Sequence, residues 1–229
     1  MEKINLEQIG RLLRYKNTVV FGEVHGSKNN IFFLKKLVSF LIKEKIKFLL
    51  CFEWQLDKSK LCSLNDYLIG SKDVFTLSDF FFRRDGRFSF EHLDFLKWLR
   101  TLNLKLNRNS RINIFAFDTK GKDWTERDRK MANKLSKIKF NGMKIVFTGN
   151  LHARKKPFKI NSSVHKPMAS FLSKSRVLSV FLCLAGGNIY NFGSKKVKDL
   201  SSLKMISKES FDYKIDLGNS RSTKPLERR

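Results

Sequence analysis

No apolar run in the 229 residues approaches the roughly eighteen needed to cross a bilayer as a helix, so a membrane-spanning helix is not expected. The opening "MEKINLEQIG" lacks the charged-then-apolar order of a secretory signal, which makes the cytoplasm the expected location. Cysteine is sparse: Cys51 and Cys183 lie in apolar runs and Cys62 in a mixed one, and no CxxC pair occurs. Reduced core thiols are expected, rather than a disulfide framework. Also missing are an HExxH helix, a GxSxG elbow and a GxxxxGK[ST] loop, which argues against the common zinc proteases, serine hydrolases and P-loop enzymes. The glycines of "LAGGNIYN" suit any turn and do not make a phosphate loop.

Acidic residues are also in short supply. Against 47 Lys and Arg stand 21 Asp and Glu, a formal net charge of +26. Such a field attracts nucleic acid, anionic membrane or acidic substrates. The excess is mostly lysine, however, spread along the chain and accompanied by 22 phenylalanines, as AT-rich coding drift would leave it. Zinc-finger spacing, RNP-like aromatics and a basic-region heptad are all absent. Coding drift and polyanion binding both remain open, the second without a motif.

At this length the expectation is one α/β domain over residues 1–215 followed by a disordered basic tail, 216–229. The runs "TVVFG", "KFLLCFE", "INIFAFD", "MKIVFTG" and "RVLSVFLCLA" are continuously apolar rather than alternating. That is the pattern of parallel strands covered on both faces. Between them the spacing predicts helices at 27–45, where Ile31, Leu34, Val38, Leu41 and Ile42 form a stripe, at 89–105, and at 125–138, where Thr125 and Asp128 read as a capping box. Residues 55–88 hold two short helical stretches without a strand and read as a helical insertion. The fold class is therefore α/β: a mostly parallel central sheet with helices on both faces and a small helical insertion.

Each predicted strand ends in chemistry. The first ends in Glu23 and His25, the second in Glu53, the third in Asp118, the fourth in Asn150 and His152. Parallel strands share one carboxyl edge, where open α/β sheets place their ligand sites. Glu23 and His25 share a parity, as do Asn150 and His152, so each pair points to one side of an extended backbone. His92, inside a helix, and His165, in a loop, have no such company and read as packed or solvated. A carboxylate beside an imidazole fixes its tautomer and raises its basicity, so that it can take a proton from water. The same donors, His25, Glu53 and His152, are equally able to hold a divalent metal that generates the nucleophile itself. In the cluster "HARKKPFK", Arg154 lies closest to His152 and is the better candidate for an anionic or polarised group.

"GEVHGS" before an amphipathic helix, a strand ending "FEW", then "ERDRKMA" and "IVFTGNLHARK" together resemble the erythromycin esterase and ChaN-like superfamily, which includes haem-uptake and Tiki-like relatives. The resemblance runs in order from about residue 18 to residue 190. It implies that Glu23, His25, Glu53 and His152 line the active pocket, with Arg127 and Asp128 on the helix beside it. It further implies a hydrolase for an ester, amide or related bond of a small molecule. His25 would be general base, oriented by Glu23 or Glu53, and His152 the second acid/base. Arg127, Asn150 and Arg154 would donate to the carbonyl, with Asp118 also at the substrate. Other branches bind haem or act through a metal, so the alternatives are a non-catalytic haem- or metal-binding protein and a basic nucleic-acid-binding protein; the cofactor is none, a divalent metal or haem. The chain is much shorter than the antibiotic esterases and lacks the length for their macrolide-gripping helical lobe.

Overall fold

A computed structural model describes residues 2–13, 16–160, 162–172, 177–197 and 210–227. The strands are β1 (Glu2–Lys3), β2 (Thr18–Glu23), β3 (Phe48–Phe52), β4 (Ile114–Ala116), β5 (Met143–Gly149), β6 (Phe158–Ile160), β7 (Ser163–His165), β8 (Val177–Cys183), β9 (Gly186–Tyr190), β10 (Ser194–Val197), β11 (Tyr213–Asp216) and β12 (Asn219–Ser220). The helices are α1 (Leu6–Leu13), α2 (Lys28–Lys43), α3 (Lys58–Leu68), α4 (Phe90–Lys105), α5 (Trp124–Lys137) and α6 (Met168–Phe171). Seven strands form one sheet in the order β1-β11-β8-β2-β5-β3-β4, every pairing parallel.

The continuous apolar runs are explained by what covers the sheet. Alternate side chains of one strand enter different cores: Val19, Phe21, Leu50, Phe52 and Phe147 face α1 to α4, while Val20, Cys51, Val146 and Phe181 face α5 and α6. With both faces covered there is no solvated side on which polar residues would alternate. Helix α2 buries Ile31, Leu34, Val38 and Leu41 together with Phe33 and Leu37, and leaves Ile42 only partly covered. Cys51 and Cys183 are buried, whereas Cys62 is exposed.

Between β3 and α4, α3 starts before the apolar stretch because Asp57 caps it, accepting from the Lys60 amide at 2.9 Å. The second expected helix is only a 3-10 turn, Asp79–Phe82, which buries Phe80 and Phe81. Helix α5 corrects its expected cap: Asp123 accepts from the Glu126 amide at 2.7 Å, so Thr125 and Asp128 form no capping box and Asp128 turns inward.

The expected disordered tail is also corrected. Residue 216 ends β11, and the segment that follows runs across the start of α2 and α4 as far as residue 227, residues 228 and 229 lying outside the described residues. Ser220 donates to the Ser27 hydroxyl at 2.7 Å; the Lys28 amide donates to the Arg221 carbonyl at 2.8 Å and the Phe90 amide to that of Lys224 at 2.9 Å. Leu226 is buried in the α2–α4 core. The segment thus satisfies amides that open two helices. Deleting residues 218–229 should lower the melting temperature by about 5–10 °C in a thermal unfolding scan, the size expected for losing a buried leucine and several hydrogen bonds; a dispensable tail would leave it unchanged. Among the described residues no helix is long and apolar enough to cross a membrane.

Candidate functional site

Strands β2, β5, β3 and β4 are neighbours in that order, so the residues after them meet at one carboxyl edge. Glu53 is at the centre, and the structure buries it. Its Oε2 accepts from the Thr148 hydroxyl at 2.7 Å and from the Gly149 amide at 2.8 Å; its Oε1 accepts from Arg127 Nη2 at 2.7 Å, with Arg87 Nη1 3.5 Å away. Burial alone would raise this carboxyl, but the positive groups around it, His152 and His25 when protonated and Arg127 and Arg87 at any pH, outweigh it and hold the group well below the usual glutamate range.

Asp118 was expected at the substrate. Instead it is buried between two guanidiniums, accepting from Arg87 Nη1 at 2.8 Å and from Arg127 Nε at 2.9 Å, with the Thr119 amide at 2.7 Å. Its oxygens are occupied in fixing the arginines. Arg87, which the sequence reading missed, reaches back from the insertion and is clamped through Nε and Nη2 by Asp85 Oδ2 at 2.8 and 2.6 Å. The Trp54 indole, stacked on Phe52 with centroids 4.2 Å apart, donates to the Arg87 carbonyl at 3.1 Å and ties this loop to β3.

Each of the two histidines has a carboxylate on Nδ1. Glu23 Oε1 lies 3.0 Å from His25 Nδ1, and Asp128 Oδ1 lies 2.6 Å from His152 Nδ1, with Asp128 Oδ2 accepting from the Met168 amide at 2.8 Å. A carboxylate only accepts, so both rings carry their proton on Nδ1. Their other nitrogens differ. His152 Nε2 faces Arg127 Nη1 at 3.1 Å, and since a guanidinium only donates, that lone pair is engaged. His25 Nε2 instead points past Glu53 Oε2, 3.9 Å away, over the α-carbon of Gly149. Of the two glutamates proposed to orient His25, Glu23 makes the contact. Burial pulls the His25 imidazole down, but the hydrogen bond and charge of Glu23, with the charge of Glu53, overcome this and hold it above 6.5.

His152 does not reach the site by strand parity. The backbone turns after Gly149, with the His152 amide donating to the Gly149 carbonyl at 3.0 Å, and the exposed Trp124 stacks on the ring at 5.7 Å. Asn150 is half-buried in this turn and its amide donates to the Glu23 carbonyl at 2.9 Å. Arg154 is buried over the Phe158 ring at 4.7 Å, so it is not presented to a ligand beside His152. His92 is buried, its Nδ1 2.9 Å from the Ser89 hydroxyl, and burial pushes it down to about 4, so it stays neutral. His165 sits in β7 rather than a loop, next to Trp124 and Phe158.

The donor set does not suit a divalent metal as it stands. Both Glu53 oxygens accept from the protein and His152 Nε2 accepts from Arg127; among the described residues no group of three His, Cys, Asp or Glu is arranged to hold a metal ion. A cavity of about 10 Å³ lies beneath His25, lined by Glu23, Glu53, Arg87 and His92, room for about one water and none for a haem.

Arg87, Asp85, Thr148 and Gly149 carried little signal. The first two sit in a basic stretch, "RRDGR", where one more arginine says nothing, and the last two read simply as the end of an apolar strand.

No protein-family model matches this sequence, and no curated protein matches it. Among solved structures, a Bacillus cereus protein aligns with a TM-score of 0.67 at 13% identity, covering 98% of this chain and 94% of its own. A succinoglycan biosynthesis protein aligns at 0.66 with 12% identity, covering 96% and 87%. ChaN of Campylobacter jejuni, described as binding haem cofacially, aligns at 0.45 with 15% identity, covering 78% and 86%. At these identities the likeness to the first two is one of fold.

Proposed function

We propose that the chain is a hydrolase that cleaves an ester, amide or related bond of a small molecule with water activated by His25. The observation that carries this reading is the Glu23–His25 pair: Glu23 Oε1 lies 3.0 Å from Nδ1, which leaves Nε2 as the basic nitrogen, and a cavity with room for about one water adjoins the ring. Gly149 lets the ring take this place, since a side-chain carbon on it would sit 2.9 Å from His25 Nε2 and 3.6 Å from Glu53 Oε2. Nε2 is the one imidazole nitrogen whose lone pair faces no donor in the cluster. A water at Nε2 gives a proton to it as its oxygen attacks the carbonyl. Glu23, on Nδ1, stabilises the imidazolium that forms. The C–O or C–N bond then breaks and the imidazolium returns the proton to the leaving group. Glu53 sets the electrostatics of the slot, and Arg127, held by Asp118, Glu53 and His152, places positive charge at its edge. His152 and Asp128 position Arg127 in this scheme, instead of acting as a second acid and base.

The test is turnover of a panel of chromogenic esters and amides as a function of pH. General-base action needs neutral His25, so kcat/KM should rise with pH through a midpoint above 6.5. Glu23→Gln removes the charge that raises the imidazole and leaves the burial that lowers it. The acid limb should therefore move to lower pH while the maximal rate falls. An acid limb that stays put in the variant would exclude His25 as the titrating base. No turnover of any panel member above background would count against hydrolysis.

A further inference from the structure

The cavity beneath His25 has room for about one water, and a ligand-sized hollow opens further along the same carboxyl edge, beyond β8. Its volume is about 800 Å³, and it lies between the ends of β1 and β11 and the first turns of α1 and α2. Ligand pockets span about 300–1,000 Å³, apolar walls with a few convergent polar groups. The floor here is apolar: Ile4, Phe33 and Ile215, all buried. One lip is Phe32, 55% exposed on the outer side of α2, an aromatic ring offered to solvent beside a hollow that would cover it.

The rim has the opposite chemistry. Lys3, Lys36 and Arg221 stand around it against Glu7 and Asp216. Asp216 is already engaged, accepting from the Gly218 amide at 2.9 Å and paired with Lys3 at 3.3 Å. That leaves Lys36 and Arg221, both exposed, as the cations at the opening, against the exposed Glu7. The wall between this hollow and the His25 loop is fixed by Asn29, whose amide group donates to the carbonyls of Leu217 at 2.7 Å and Asn219 at 2.9 Å. A second hollow on the far side of Phe32 has Ile31 as the one buried apolar residue of its lining, which makes it the poorer home for an alkyl chain.

We propose that the hollow beside Phe32 binds a medium-chain monocarboxylate, its alkyl chain on Phe32, Phe33, Ile4 and Ile215 and its carboxylate at Lys36 and Arg221. An apolar floor with a cationic rim fits a ligand that is itself apolar along its length and singly anionic at one end. A phosphate would lack the tail and an alcohol the charge.

Isothermal titration of the full chain with sodium decanoate, kept below its micelle concentration, tests this. Saturable binding at one site is expected. Phe32→Ala and Lys36→Glu, both at exposed positions that leave the core intact, should each raise Kd about tenfold. Decanol and acetate should bind much more weakly, and His25→Ala should bind decanoate as the wild type does. No saturable heat, or a Kd indifferent to both rim variants, would overturn the proposal. Decanol binding as tightly as decanoate would overturn the anionic half of it. Loss of binding in His25→Ala would move the ligand to the strand-end cluster and remove this site.

Discussion

Glu53→Ala should cost about 3–5 kcal/mol of folding stability, the range for removing one partner from a buried ionic network. Urea unfolding would measure it. The carboxylate takes hydrogen bonds from Thr148, the Gly149 amide and Arg127, and all of these donors lose their acceptor together. Arg127 keeps Asp118 and Arg87 keeps Asp118 and Asp85, but the buried charge that faced both guanidiniums is gone. Glu53→Gln should cost less, because its amide oxygen still accepts from some of these donors. The deficit should also depend on pH. Since Glu53 titrates well below 4.5 in the folded chain, its contribution is present above the unfolded glutamate value and is lost as pH falls through the depressed folded value. Wild type and Glu53→Gln should therefore converge in strong acid. A variant as stable as the wild type at neutral pH would mean that Glu53 is not the structural hub of the cluster.

Gly149→Ala should reduce turnover by about a hundredfold or more while the protein stays folded, on the scale by which a displacement near 1 Å at a reacting centre costs rate. The methyl carbon would come within 2.9 Å of His25 Nε2, closer than carbon and nitrogen sit in contact, so the ring must swing out of the place where Glu23 holds it. Gly149 is not among the glycines with positive φ, so an alanine meets no backbone penalty there. This separates the variant from Gly26→Ala, where φ is +84° and a Cβ would meet the Tyr190 carbonyl oxygen. Kinetics of Gly149→Ala with the most reactive ester of the panel, beside a melting curve, are the measurement. Turnover equal to the wild type's, in a folded protein, would remove the position of His25 over Gly149 from the mechanism.

Much of the architecture was legible because one physical cause wrote it into short segments. A strand buried on both faces must be apolar at every position, and "TVVFG", "FLLCF" and "MKIVFTG" say so without reference to their neighbours. The polar residues that follow them are conspicuous for the same reason, so Glu23, His25, Glu53, Asp118 and His152 stand out in the sequence by themselves. Helix stripes were equally local, as in Ile31, Leu34, Val38 and Leu41.

What the sequence left open depended on distances between segments. Only the sheet order β2-β5-β3-β4 makes four strand ends adjacent, and only the tertiary structure decides which carboxylate serves which imidazole: Glu23 for His25, Asp128 for His152. The sequence presented Asp128 as a helix cap and Asp118 as a substrate contact. Packing turned the first onto a histidine 24 residues away and enclosed the second between two arginines. Arg87 was invisible in a lysine- and arginine-rich chain because its role comes from being carried by an insertion to a buried carboxylate, not from its neighbours in sequence. The closing segment read as a disordered tail because its polar composition carries no periodicity; it is ordered because its backbone pairs with helix starts far away in sequence. Burial and apolar periodicity are properties of a few adjacent residues and are written in the sequence. Charge pairing across strands is a property of the folded arrangement and is settled only there.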